Sequence, residues 1–162
     1  MIRVAAYQGN SGVSIAIKFI TRSRYSHVAF LLDDGSVVEA WDYGLRRVSS
    51  LSAQHNIKTF VDVFSLVDFT TYQNDLLYES ILKDLKNPPK YDFKQVLHFL
   101  PIVRFFSRDV PDNGKYFCSE YVFCKLKEVG FNLFENTQGF EVPPDWIPRS
   151  PKLRFDFTDI TS

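Results

Sequence analysis

Apolar residues that alternate with polar ones, or run together in short β-branched stretches, dominate the first half of the chain and predict β-strands. The clearest feature is a hairpin, HVAFLLDDGSVVEAW, in which such residues flank Asp-Asp-Gly. Further strands are expected at RVAAYQ (residues 3–8), at GLRRVS (44–49) and over residues 57–67. This half of the chain is therefore expected to form a sheet.

Apolar residues at spacings of three and four predict helices in the remaining segments. These helices cover residues 13–24, 75–87, 92 to about 106 and 118–130. A proline-rich extended segment and a last strand near residues 152–157 follow. Strands first, helices next and a returning strand indicate an α+β fold, with an antiparallel sheet packed against helices in a single domain over residues 1–162.

Composition narrows the classes of partner. The 162 residues are 45% hydrophobic and 16% aromatic, and 19 basic residues balance 19 acidic ones. No block of like charge stands out, so nothing in the composition calls for nucleic acid or an anionic membrane surface. The N-terminus does not resemble a signal peptide, and no stretch approaches the roughly 18 apolar residues of a membrane span. We therefore expect a cytoplasmic monomer without a transmembrane segment.

The cysteines and histidines exclude several kinds of site. Two cysteines and three histidines match no zinc-binding spacing, and neither a metal nor a cofactor is expected. Cys118 and Cys124 lie six residues apart in one predicted helix and point in different directions, so a disulfide between them is implausible. Cys124 is interpreted as a core residue.

Cys118 stands at the start of its predicted helix, in YFCSEYVFCKLKEVG. A helix N-terminus favours the nucleophilic thiolate, and its free N–H groups can bind a developing oxyanion. The alternative is a small buried apolar residue, because Val122, Leu126 and Val129 share a helix face with Cys118. The helix by itself leaves both interpretations open.

A thiolate nucleophile requires a general base, and the sequence offers three histidines. His98 lies among apolar residues, where a packed histidine is expected, and His55 lies in a polar loop, where a solvated one is expected. His27 begins the first strand of the hairpin, and a strand is a rigid platform for an imidazole. A purely structural role is the alternative for His27.

Glu39 is an unexpected charge within SVVEAW, the second strand of the hairpin. A two-residue turn would point Glu39 away from His27. A three-residue loop would place Glu39 opposite Ala29, on the face of His27 and diagonal to it. Diagonal neighbours are roughly 7–8 Å apart, within reach of a glutamate side chain. Cys118, His27 and Glu39 can then act as nucleophile, base and orienting residue. The alternative is a solvent-facing Glu39.

The order and spacing of YSHVAFLLDDGSVVEAW and KYFCSEYVFCKLKEVG resemble the circularly permuted branch of the NlpC-type papain-like superfamily, most closely its YiiX-like hydrolases. Lecithin:retinol acyltransferase and its relatives form another permuted branch. In that superfamily a strand histidine is followed twelve residues later by a polar residue, which is the spacing of His27 and Glu39. The permuted branch places its cysteine later, at a helix start, as with Cys118. TRSRYSHVAF and PPDWIPRSPKLRF also fit, so the resemblance covers most of the chain.

The resemblance implies a permuted papain-like fold and a papain-type mechanism. Cys118 would attack a carbonyl carbon, His27 would carry the proton, and Glu39 would hold the imidazole. A backbone N–H of Cys118 or Ser119 would help to bind the oxyanion. The family often adds a polar or aromatic side chain near the oxyanion, and the candidates here are Tyr7, Gln8 and Tyr116. Tyr91, in KYDF, resembles the tyrosine of a tyrosine–aspartate pair common upstream of the cysteine in these proteins, and the alternative is a residue that packs at a helix start.

Three functions fit this pattern. The first is a cysteine hydrolase of amide bonds in a peptide or peptidoglycan fragment, working through an acyl-enzyme. The second is a thioesterase or acyltransferase that takes an acyl group from a lipid, which the abundant aromatic residues permit. The third is a non-catalytic binding module that retains the fold. Intact Cys118, His27 and Glu39 favour an enzyme over the third.

Overall fold

The structure is a computed structural model and describes residues 1–41, 44–53, 55–91, 115–138 and 142–162. Its strands are β1 (Arg3–Gln8), β2 (His27–Leu31), β3 (Val37–Trp41), β4 (Gly44–Val48), β5 (Phe60–Leu66), β6 (Lys90–Tyr91), β7 (Lys115–Tyr116) and β8 (Leu153–Ile160). Its helices are α1 (Gly12–Thr21), α2 (Thr71–Lys86), α3 (Cys118–Glu128) and α4 (Trp146–Arg149).

Six of these strands form one sheet in the order β4-β3-β2-β1-β5-β8. Each neighbouring pair is antiparallel. Strands β1 to β4 lie side by side in chain order, and β5 and β8 extend the sheet beyond β1. The predicted α+β class with an antiparallel sheet is confirmed.

The hairpin of β2 and β3 has the three-residue loop that brings Glu39 to the required face. The N–H of Leu32 donates to the C=O of Ser36 at 2.8 Å, in register with the strand pairs that follow. The loop ends at Gly35, whose φ of +82° is a left-handed conformation that glycine adopts at little cost. Continuing this register puts Glu39 opposite Ala29, so the three-residue loop is the one of the two alternatives that the structure shows.

The two faces of the sheet are covered differently. The main core lies on one face, where apolar residues of β1, β2 and β3 pack against α2 and α3. A smaller apolar cluster lies on the other face and includes Leu51, from the loop over residues 49–59. Side chains alternate along β2, so His27, like Ala29 and Leu31, belongs to this second face.

The helix boundaries differ from the predicted ones because of their caps. Helix α1 stops at Thr21, earlier than predicted, and Arg22 closes it in the left-handed conformation at φ 50°. Helix α2 begins directly after Thr70, earlier than predicted, because Thr70 and Gln73 form a capping box. Helix α3 begins at Cys118, as predicted.

The C-terminal region departs further from the prediction. The short helix α4 interrupts the proline-rich segment that was expected to be extended, and β8 continues to Ile160 because it pairs along the whole of β5. Strands β6 and β7 pair in parallel, an arrangement that the hydrophobic pattern does not predict. The helix predicted from residue 92 to about 106 lies outside the described residues. In the part of the chain that the structure describes, no helix has the length and apolarity needed to cross a bilayer.

Candidate active site

The first residue of β2 and the first residue of α3 meet at one end of the sheet. His27 begins β2 and Cys118 begins α3, and their side chains lie close enough to interact. Helix α3 packs against Phe30 on the opposite face of the sheet from His27, so the contact is made around the end of β2. Both residues are enclosed, with 8% of His27 and 5% of Cys118 exposed.

Glu39 also contacts the imidazole. His27 Nε2 lies 2.7 Å from Glu39 Oε2, and the same imidazole interacts with Cys118. Glu39 is 0% exposed, and a carboxylate at such a position requires charged or hydrogen-bonding partners. The structure thus brings together the three residues predicted as nucleophile, base and orienting residue, with the imidazole in the middle.

Arg46 and His55 also hold the Glu39 carboxylate. Arg46 lies directly opposite Glu39 on β4, with Nε 2.9 Å and Nη2 2.7 Å from Oε1. The Arg46 guanidinium lies 4.3 Å above the ring of Trp41. His55 Nε2 lies 3.2 Å from Oε2, the oxygen that also contacts His27. One carboxylate oxygen therefore binds a guanidinium, and the other binds two imidazoles.

These contacts favour an ionised carboxylate beside a protonated imidazole. Burial alone would raise the pKa of Glu39, but the hydrogen bonds from His27 and His55 outweigh it and hold that pKa far below its usual range. Burial alone would lower the pKa of His27, but Cys118 and then Glu39 outweigh it and raise that pKa to about 10. At neutral pH the site therefore favours an imidazolium between two acidic groups.

A stacked tyrosine and an edge-on tryptophan position His55. The rings of Tyr7 and His55 are 4.1 Å apart with an interplanar angle of 16°, and Trp41 meets His55 edge-on at 5.6 Å. The His55 side chain is 7% exposed. The expectation of a solvated His55 is therefore wrong, because the loop over residues 49–59 folds onto the sheet instead of projecting into solvent.

The loop that carries His55 is fastened to the C-terminal end of the chain. The N–H groups of Lys58 and Thr59 donate to Thr161, to its C=O at 2.7 Å and to its Oγ1 at 2.8 Å. The N–H of Thr161 donates to the C=O of Thr59 at 3.0 Å, and its hydroxyl donates to the C=O of Asn56. Thr161 therefore restrains the segment that follows His55.

Two oxyanion candidates lie close to the three residues. Ser119 is buried and its hydroxyl donates to the C=O of Val142 at 2.6 Å, so its contribution to a site would come from its backbone N–H at the helix start. Tyr7 lies opposite His27 on β1, with 5.5 Å between the ring centroids. Within the described residues the buried Tyr7 hydroxyl has no hydrogen-bond partner. Burial and the charge of Glu39 raise the Tyr7 pKa, so the phenol stays a neutral donor.

The other candidates are placed differently. Gln8 follows Tyr7 on β1 and therefore points to the opposite face, where its amide donates to Asp62 at 3.0 Å. Tyr91 pairs with Tyr116 between β6 and β7, and Tyr116 lies two residues before Cys118. For Tyr91 and Tyr116 the structure describes the backbone alone. His98 lies outside the described residues.

Sequence reasoning missed Arg46 and His55 as parts of the site. Arg46 could have been found from the sequence, because the strand that follows β3 pairs with it and places Arg46 directly opposite Glu39. His55 leaves none, because its position depends on how a loop folds across the sheet.

Comparison with known proteins identifies no relative. No protein-family model matches the chain, and no curated protein matches its sequence at a significant level. The resemblance to the permuted papain-like branch therefore stays a prediction based on the motifs quoted above. Among the described ranges, no three His, Cys, Asp or Glu side chains are arranged to hold a metal ion.

Proposed function

We propose that the chain is a cysteine hydrolase of the permuted NlpC-type papain-like kind, similar to the YiiX-like hydrolases, that cleaves an amide bond in a peptide or peptidoglycan fragment. The observation that carries this proposal is the buried imidazole of His27. It contacts the Cys118 thiol and the Glu39 carboxylate. This order of thiol, imidazole and carboxylate is what covalent catalysis by a cysteine requires.

The reaction begins with the thiolate of Cys118 beside the imidazolium of His27. The thiolate sulfur attacks the carbonyl carbon of the amide, and the carbonyl oxygen becomes an oxyanion next to the backbone N–H groups at the start of α3. His27 then gives its proton to the amide nitrogen, the C–N bond breaks, and an amine leaves. The acyl group stays on Cys118 as a thioester.

Water completes the cycle. His27, now neutral, takes a proton from a water molecule whose oxygen attacks the thioester carbon. The C–S bond breaks, a carboxylic acid leaves, and the thiolate and the imidazolium are restored. Glu39 stays ionised throughout, holding the ring and balancing its positive charge, and Arg46 and His55 hold Glu39 in turn.

Acyl transfer to Cys118 tests this proposal directly. Purified protein is incubated with three probe sets (N-acyl peptides and muropeptides, acyl thioesters, and phospholipids), quenched in acid and weighed by intact mass spectrometry. We expect an acyl adduct from the amide set, located on Cys118 by peptide mapping. Cys118→Ser removes that adduct, whereas Cys124→Ser, the matched control, retains it.

The other functions give different outcomes in the same experiment. Adducts from thioesters or phospholipids alone would replace the amide hydrolase with a thioesterase or acyltransferase. A chain that binds a probe without adduct or turnover, and with Cys118 unreactive, would be a binding module. An adduct on Cys124 would contradict the assignment of the nucleophile.

A further inference from the structure

Helix α1 exposes large apolar side chains to solvent. One helical stripe, spaced by three and four residues, is exposed along its length and consists of Gly12, Ile15, Ala16 and Phe19. Phe19 is 84% exposed and Ile15 is 56% exposed. Ser14 and Ile17, on another side of the helix, are half-buried. Helices of soluble domains normally bury their large apolar side chains, so an exposed apolar stripe indicates a binding surface.

Basic residues cluster in α1 and directly after it. Lys18, Arg22 and Arg24 lie in the helix or directly after it, and the sequence contains no acidic residue before Asp33. Arg22 and Arg24 are exposed, although Arg24 also lies 3.5 Å from Asp62. The balanced total of 19 basic and 19 acidic residues conceals this local excess of positive charge.

An exposed tryptophan lies near the segment that follows α1. The N–H of Arg24 donates to the Asp145 carboxylate at 3.0 Å, so the start of α4 lies beside the segment that follows α1. Trp146, the first residue of α4, is 41% exposed. Indole rings favour the interface between lipid and water, where one part of the ring is apolar and the N–H is solvated.

We propose that the α1 surface, defined by Ile15, Phe19, Lys18, Arg22 and Trp146, docks the protein on an anionic lipid membrane. The apolar side chains would enter the boundary between headgroups and acyl chains, while the cations contact anionic headgroups. A second copy of the chain fits the surface less well, because a twofold contact would bring the basic residues of both copies together. This docking is independent of the proposed hydrolase activity.

Vesicle co-sedimentation tests the proposal. Wild-type protein is expected to bind vesicles of phosphatidylcholine with phosphatidylglycerol, to bind pure phosphatidylcholine weakly, and to lose binding as salt rises. Phe19→Ser should weaken binding by roughly tenfold or more, because one buried aromatic side chain is lost. Lys18→Gln with Arg22→Asn should weaken it by roughly tenfold and remove the salt dependence. Asparagine suits position 22 because it tolerates the left-handed backbone found there.

Matched controls distinguish docking through the α1 surface from non-specific hydrophobic adsorption and from catalysis. Tyr72→Ser removes a 72% exposed aromatic residue from α2 and should leave vesicle binding unchanged. Cys118→Ser should bind vesicles like wild type even if the hydrolase proposal fails. Three outcomes would overturn the docking proposal: no vesicle binding, equal binding to both vesicle types, or a self-association in solution that Phe19→Ser abolishes without any vesicle binding.

Discussion

Two buried carboxylates lie in the same sheet, and their partners differ in kind. Glu39 is 0% exposed and is held by His27, His55 and Arg46. Asp62 on β5 is 3% exposed. Its closest donors are neutral: the Tyr25 hydroxyl at 2.7 Å, the Gln8 amide at 3.0 Å and the Thr158 hydroxyl at 2.5 Å. A cation, Arg24, approaches Asp62 only to 3.5 Å.

A buried acid becomes part of a reactive site when one of its partners is a base that also contacts a nucleophile. Neutral donors form hydrogen bonds with Asp62 and join β1, β5 and β8. None of these donors is a base that could take the proton of a nucleophile at neutral pH. Burial and the hydrogen bond to Asp62 raise the pKa of Tyr25, which keeps that phenol neutral. Glu39 instead contacts an imidazole that also contacts Cys118. Two acids of similar burial are therefore expected to respond differently to the same substitution.

The largest expected difference comes from removing each negative charge in turn. Glu39→Gln removes a charge that favours the imidazolium of His27, so alkylation of Cys118 by iodoacetamide at pH 6 should slow by about tenfold or more. Asp62→Asn should leave that rate unchanged while lowering the free energy of unfolding by about 1–3 kcal/mol, since buried hydrogen bonds are disturbed. Quenched time courses measure the rate of alkylation, and urea titrations measure the free energy of unfolding.

The rate of Cys124 alkylation in the same samples is the internal control for Glu39→Gln and Asp62→Asn. If alkylation of Cys118 slows equally in both variants, then Glu39 and Asp62 affect the thiol in the same way, through the stability of the fold. That result would contradict the proposed difference between the two carboxylates.

The next effect concerns stability against pH. The pKa of His27 is raised in the folded chain, so His27 contributes stability that is complete below about pH 6.5 and is lost as pH rises through about 10. The stability advantage of wild type over His27→Gln should therefore shrink between those values, by a few kcal/mol. Asp62→Asn should keep the wild-type pH dependence in this range. Melting temperatures at half-unit pH steps measure the stability difference between wild type and His27→Gln. A difference that stays constant with pH would contradict the raised pKa of His27.

A smaller effect is expected from His55, which acts on the site through Glu39. His55→Phe retains a ring to stack on Tyr7 but removes the hydrogen bond to Glu39 Oε2, so alkylation of Cys118 at pH 6 should slow by about fivefold. His55→Gln retains a donor and should recover part of the rate. If phenylalanine and glutamine behave alike, His55 contributes packing rather than a hydrogen bond.

The smallest effect is expected from Thr161, which restrains the loop of His55. Thr161→Val preserves shape and removes the hydroxyl that contacts Thr59 and Asn56, at a cost of about 1 kcal/mol of unfolding free energy. Amide exchange in residues 55–59 should accelerate, while the alkylation rate of Cys118 changes by less than in His55→Phe. Unchanged exchange would show that the loop is held by other contacts.

Local signals account for the parts of the site that the sequence predicts. Gly35 suits either a two-residue turn or a three-residue loop, and the three-residue loop of the structure determines which face of β3 Glu39 occupies. The position of Cys118 follows from the start of an amphipathic helix. The sequence could therefore place Cys118 at a helix N-terminus, and it left two possible faces for Glu39.

The missed features depend on contacts between distant parts of the chain. His55 reaches Glu39 because Thr161, near the C-terminus, fastens its loop over the sheet. Helix α4 forms in a segment whose prolines indicate an extended chain. The exposed stripe of α1 cannot be predicted from the sequence either. An apolar helix face is expected to be buried, and only the structure shows which side of the helix faces solvent.

The rate of Cys118 alkylation by iodoacetamide is measured from pH 5 to 9 in wild type and in His27→Ala. This comparison shows whether Cys118 and His27 form a thiolate–imidazolium pair. Both proteins carry Cys124→Ser so that one thiol is observed. If the Cys118 thiol is paired with His27, wild type should be alkylated fast at pH 6. In His27→Ala the rate should instead rise with pH, with an apparent midpoint near the pKa of about 8.5 found for free thiols. Identical profiles in the two proteins, whether fast or slow, would contradict a thiolate–imidazolium pair.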